Sequence, residues 1–166
     1  MKLHLGVIDV PYQIFDQGKP VPHPKTGAQN HPVKGEPEHP TTGQVAEQLE
    51  DEYGVMQVFF DQNQGQIADH LANAVAGAIE TAMMGGSVDL MDSLSAGLGN
   101  IERDFRNYID LEEISKSGVP GVPTKAALLG INHRMKKPTT HVRRPSFRDT
   151  GQYQASFKAW IDNNED

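Results

Sequence analysis

The chain has 166 residues, no cysteine and a formal net charge of −7. That length suits one domain, or one small core with appendages, and an apolar fraction of 37 % leaves part of it outside any core. The missing thiols exclude a disulfide scaffold, a Cys-ligated zinc site and a thiol nucleophile. No apolar run nears the ~20 residues of a membrane span, and the first nine residues turn acidic too soon for a secretory signal.

In chain order, residues 1–11 read as a strand, with Leu3, Leu5 and Val7 on one side. Residues 12–40 change character. Seven of the eleven prolines lie between Pro11 and Pro40, amid Gly, Lys, His and Gln. Pro20, Pro22 and Pro24 favour an extended path without amide donors. The stretch reads as a long Pro-rich arm or a disordered linker; an arm that wraps a neighbouring subunit and orders on assembly is the better fit, since a structureless stretch of that length is unusual inside a compact domain.

Residues 41–166 form the predicted core. Thr41 with Gln44 is a capping box, followed by Val45, Leu49, Tyr53, Met56 and Phe60 at helical spacing. Asn63 and Gly65 mark an expected break. Ile67, Leu71, Val75, Ile79 and Met83 then recur every four residues until Met84-Gly85-Gly86 ends the helix. Residues 87–99 are ambiguous. Asn100 is the expected cap of a third helix, with Ile101, Phe105, Tyr108 and Ile109 as its stripe. The doubled Gly-Val-Pro at 118–123 redirects the chain. Thr124 caps a short helix carrying Ala127, Leu128, Ile131 and Met135, closed by Pro138. After a turn at 149–152, the alternation of Tyr153, Ala155, Phe157, Ala159 and Ile161 favours a strand, although Tyr153, Phe157 and Trp160 also fit a helix. The expected fold class is α+β, with helices packed on a small antiparallel sheet.

Charge is unevenly spread. From Ile114 to Arg148 there is no Asp or Glu, against eight Lys or Arg. Its densest part is the loop 134–148, with Arg134, Lys136, Lys137, Arg143, Arg144 and Arg148. So many like charges repel unless something screens them, and arginines beside Pro145 and Phe147 suit bidentate pairing with carboxylates across an interface. The expected partner is an acidic face of another copy or of another protein. An acidic majority argues against general nucleic-acid binding, the alternative use of this loop.

Asp149-Thr150-Gly151 matches the tripeptide that carries the aspartic-protease carboxylate. That chemistry needs two such aspartates, and a single copy with fifteen residues after it is too little for a protease subunit; the simpler reading is a turn. His23, His31 and His39 recur every eight residues without a metal-ligand pattern. No GxSxG, Walker-type or GxGxxG segment occurs. Neither catalytic, metal nor cofactor-binding residues are therefore assigned.

The segments Gly121-Val122-Pro123-Thr124, Ala126-Ala127-Leu128-Leu129-Gly130, His133-Arg134 and Arg144-Pro145-Ser146-Phe147 carry a resemblance, together with residues 149–157. They resemble small virion-morphogenesis proteins of tailed bacteriophages, the neck and tail-completion family. Pro145, Thr150-Gly151, Tyr153 and Ser156 match its C-terminal signature, and the opening Lys2-Leu3-His4-Leu5-Gly6-Val7-Ile8-Asp9-Val10-Pro11 is similar to phage products of this size. The likeness spans about residues 100–161 and does not reach the arm. It implies a non-enzymatic, ring-forming homo-oligomer between portal and tail. Its contacts would be itself and portal, head-completion or tail-tube proteins, with DNA only as transiting genome and no membrane. The implied location is the virion, after assembly in the host cytoplasm. Tail terminator and minor capsid protein are the alternatives within that class. The residues expected at interfaces are Arg134, Lys136, Lys137, Arg143, Arg144, Arg148, Pro145, Thr150, Gly151 and Tyr153.

Overall fold

A computed structural model describes residues 2–12, 15–16, 19–20, 40–131, 142–148 and 150–162. The architecture is α+β, mostly helical, with a two-stranded antiparallel sheet joining the two ends of the chain. Strand β1 (Lys2–Val7) pairs with the last strand, β4 (Phe157–Asp162), Lys2 opposite Asp162 and Val7 opposite Phe157. Leu3, Leu5 and Val7 face the core, as the alternation requires. Trp160 points the other way and stacks on His4 at 5.5 Å.

The first strand stops at Val7 because the next residues change partner. Thr42, fully buried, donates its hydroxyl to the Ile8 carbonyl (2.6 Å) and accepts the Val10 amide (2.9 Å). The Thr41 hydroxyl and the Gly43 amide hold the Asp9 carboxyl below the usual carboxylate range. Farther along, the Tyr12 amide donates to the Pro40 carbonyl at 3.2 Å, so the two ends of the 13–39 excursion meet at the core. Within it, β2 (Phe15–Asp16) and β3 (Lys19–Pro20) pair antiparallel. The remainder of the expected arm lies outside the described residues.

Helix α1 (Thr42–Tyr53) begins at the predicted capping box, with both reciprocal bonds present. The helix breaks at Gly54, not at Asn63 and Gly65. Gly54 adopts φ +59° and returns its amide to the Glu50 carbonyl, a conformation in which a side chain would be strained. Glu50 also reaches across the joint: its carboxylate accepts the amides of Met56 (2.7 Å) and Gln57 (3.0 Å). A carboxylate on these otherwise unpaired donors starts α2 (Val55–Met83) where no capping residue stands in sequence. At the expected break, Asn63 simply bonds the Phe59 carbonyl one turn back and the helix continues.

After Gly85 and Gly86 close α2, helix α3 (Leu90–Asp110) runs back along it. It starts ten residues earlier than Asn100, because the Asp89 side chain accepts the amides of Met91 and Asp92. A 3-10 turn (Glu113–Ser117) buries Ile114, and the doubled Gly-Val-Pro leads to α4 (Lys125–Leu129), capped by Thr124 as expected. Gly130 at φ +64° ends α4 before Ile131; Met135 and Pro138 lie outside the described residues. The predicted strand at 153–161 is half helix: α5 (Gln152–Ser156) precedes β4. Tyr153 and Ser156, three apart, are the buried face of that single turn.

Three fully buried rings from three elements centre the core. Phe105 of α3 stacks on Phe157 of β4 at 3.8 Å, and Phe59 of α2 meets both edge-on, at 5.2 and 6.3 Å. Losing such a ring costs on the order of 3–5 kcal/mol. Around it, α2 and α3 approach so closely that a Cβ on Gly97 would stand 2.8 Å from the His70 carbonyl oxygen. Next to this contact His70 and Asp104 join the helices at 2.6 Å.

Two glycines therefore respond oppositely to alanine. Gly65, in open space within α2, should gain about 1 kcal/mol in stability as Gly65→Ala. Gly97→Ala should lose stability by roughly 1–3 kcal/mol by forcing the helices apart. Urea unfolding of the two variants measures both.

Candidate assembly interface

Three acidic residues on the α3 edge gather the C-terminal limb. Glu112, just past α3 and held at φ 54°, accepts the Ser146 amide (3.0 Å) and hydroxyl (2.8 Å) on one carboxylate oxygen and Arg143 (2.6 Å) on the other. Ser146 is buried and its hydroxyl in turn accepts the Thr124 amide at 3.1 Å. Arg148 pairs with Asp110 at 3.0 Å, and Gln154 donates to the same oxygen. Lys158 of β4 pairs with Glu102 at 3.1 Å, beside Arg106. Arg144 donates to the Ile131 and Arg148 carbonyls.

Arg143, Arg144 and Arg148, expected to meet an acidic neighbour, thus meet acids and carbonyls of their own chain. The physical reason is proximity: folding lays 142–148 along the carboxylates that end α3, while the Arg143 and Arg148 side chains stay exposed. Of the other expected interface residues, Pro145 is half-buried and Thr150 is exposed. Gly151, at φ +79°, opens α5. Tyr153 is buried against Phe105, where burial pushes its phenol pKa up; it presents no surface. Arg134, Lys136 and Lys137 lie outside the described residues, as do Asp149, His23, His31, His39, His133 and His141. Among the described residues no three His, Cys, Asp or Glu gather as a metal site, and no helix is long and apolar enough to cross a membrane.

A different surface stands out. The four-residue repeat of α2 turns from core to solvent along the helix: Ile67 is 4 % exposed, Val75 37 %, Ile79 56 % and Met83 82 %. At 3.6 residues per turn, each four-residue step rotates about 40°, so a repeat that starts inward must finish outward. The side chains that leave the core line an open groove of about 460 Å³. Leu71, Val75 and Ile79 of α2 form one wall, Leu90 and Leu94 of α3 another, with Ile161 of β4 at one end. Met83, Met84 and Met91 stand exposed at the adjoining helix ends.

The helices that supply most of this groove carry formal charge of one sign along it. Between residues 35 and 102 the sequence has no Lys or Arg. Asp69 and Glu80 stand three and four residues from the lining positions Ala72 and Ala76, so they flank the groove on one side of α2. The groove was not anticipated from sequence. Its signal is the strict four-residue period, read as one face although it cannot remain one. The chain matches no protein-family model, no curated protein and no solved structure.

The inward-turned charges and the buried serine differ in weight. Glu112→Ala should cost roughly 2–3 kcal/mol, because the buried Ser146 groups lose their acceptor. Arg143→Ala, removing an exposed cation, should cost under about 1 kcal/mol. Urea midpoints of the two variants, compared at equal slope, test this order.

Proposed function

We propose that the chain is a non-enzymatic structural subunit of a tailed-phage virion, joining or completing the head–tail junction as one member of a ring. The observation that carries an assembly role is the apolar groove between α2 and α3, left open among the described residues, with the exposed methionines beside it. Apolar surface left open in water is costly and supports a reading of protein contact. A subunit that covers it against a neighbour gains stability by mass action. The two helices that form it are tied to the aromatic core, so the groove is a preformed shape.

The kind of assembly comes from the C-terminal resemblance over residues 100–161, and with it the proposed contacts: other copies, and portal, head-completion or tail-tube proteins. On the same reading a tail terminator or minor capsid protein is a sibling role. Binding of nucleic acid is disfavoured by the cation-free stretch from 35 to 102 and by the arginines already paired inside the chain.

Sedimentation velocity over a concentration series provides the test. The expected outcome is a discrete oligomer that grows with concentration and binds purified portal or tail-tube rings of its virus. Ile79→Asp should abolish that oligomer while leaving the melting temperature of the monomer within a few degrees, because Ile79 is exposed. A chain that stays monomeric at all concentrations and binds neither ring contradicts the proposal.

A further inference from the structure

We infer that the α2–α3 groove receives the short helix α4 of a second copy, in a head-to-tail contact. This inference rests on the assembly reading above and names the two surfaces that would carry it. The first surface is apolar with acidic flanks: Leu71, Val75 and Ile79, beside Asp69 and Glu80. A second surface of the same chain has the opposite character. On α4, Leu128 and Leu129 are 48 % and 56 % exposed, and Lys125 stands three and four residues before them, on the same face of the turn. That face is a pair of exposed leucines with a cation beside it.

Each surface lacks what the other supplies. The groove has apolar walls, with the carboxylates of Asp69 and Glu80 on one flank and no Lys or Arg in its lining or on α2; the α4 ridge holds two aliphatic side chains and an ammonium without a carboxylate. The remainder of α4 is occupied at home. Ala127 is buried, its carbonyl accepts the Arg144 amide, and Thr124 binds Ser146, so the helix is braced with Leu128 and Leu129 outward. A symmetric pairing of two grooves would bring Asp69 and Glu80 toward the same residues of a partner, and like charges opposed across an interface are costly. Groove to ridge is the contact in which charge and apolar surface both match. Because its two patches differ, it is heterologous, and such contacts close into rings when the rotation between subunits permits.

The test uses two full-length variants that reverse one surface each. Asp69→Lys with Glu80→Lys makes the groove flank basic; Lys125→Glu makes the ridge acidic. All three positions are exposed, so circular dichroism and melting temperature should match wild type. Alone, each variant should associate at least about tenfold more weakly than wild type. Mixed in equal amounts they should reassemble, because the reversed groove fits the reversed ridge and the untouched pair still fits. Light scattering after size exclusion reads the result, and isotope labelling of one variant shows both in the oligomer. If wild type assembles but the reversals leave it unchanged, or if the mixture stays monomeric, the groove-to-ridge contact is overturned and the assembly reading stands. A wild type that never assembles overturns both.

Discussion

An α-helix advances 100° per residue, and an apolar repeat of four residues cannot stay on one side of it. That mismatch, written along α2, organises the molecule. At its N-terminal end the helix points its apolar residues inward, where Phe59 and Ile67 join the cluster around the rings of Phe105 and Phe157. At its C-terminal end the repeat faces water, and α3 accompanies it without covering it. One helix therefore serves both a closed core and an open surface. The close approach at Gly97 keeps the second helix against the first, so the groove between them has fixed walls.

Charge follows a related division of labour. The C-terminal limb returns to the sheet through 142–162, and each turn of that path is met by a carboxylate on or near α3: Glu112, Asp110, then Glu102. Most of these pairs are solvent-exposed and contribute little individually. The exception is Glu112, which satisfies a buried serine and holds the limb against the 3-10 turn. Intramolecular pairing also gives three arginines partners within the chain, although Arg143 and Arg148 stay exposed. It leaves α2 and the start of α3 as an acidic face without Lys or Arg, and α4 as a small basic ridge with bare leucines.

Much of the fold was legible where the signal is local. Thr41 and Gln44 form their capping box, Ile101, Phe105, Tyr108 and Ile109 form one buried stripe, and Thr124 caps α4. The errors arise where tertiary contacts override local pattern. Gly54 breaks the helix in mid-stripe because Glu50 stands ready to cap α2. Asp89 begins α3 inside a Ser/Gly-rich stretch whose composition conceals it. The alternation at 153–156 is taken up by one helical turn because Tyr153 is drawn beneath Phe105. At the candidate site, charge segregation was visible in the sequence but its destination was not. Which carboxylates an arginine meets depends on chain reversals more than thirty residues long, as between Glu112 and Ser146.

In the proposed assembly the outward half of α2 is covered by a neighbour. Hydrogen exchange of residues 71–83, compared between dilute and concentrated protein, reads this directly. Coverage predicts slower exchange there on concentration, together with slower exchange over α4, while 55–67 in the core stays unchanged. Equal exchange of 71–83 at both concentrations, in a sample shown to have oligomerised, would contradict it.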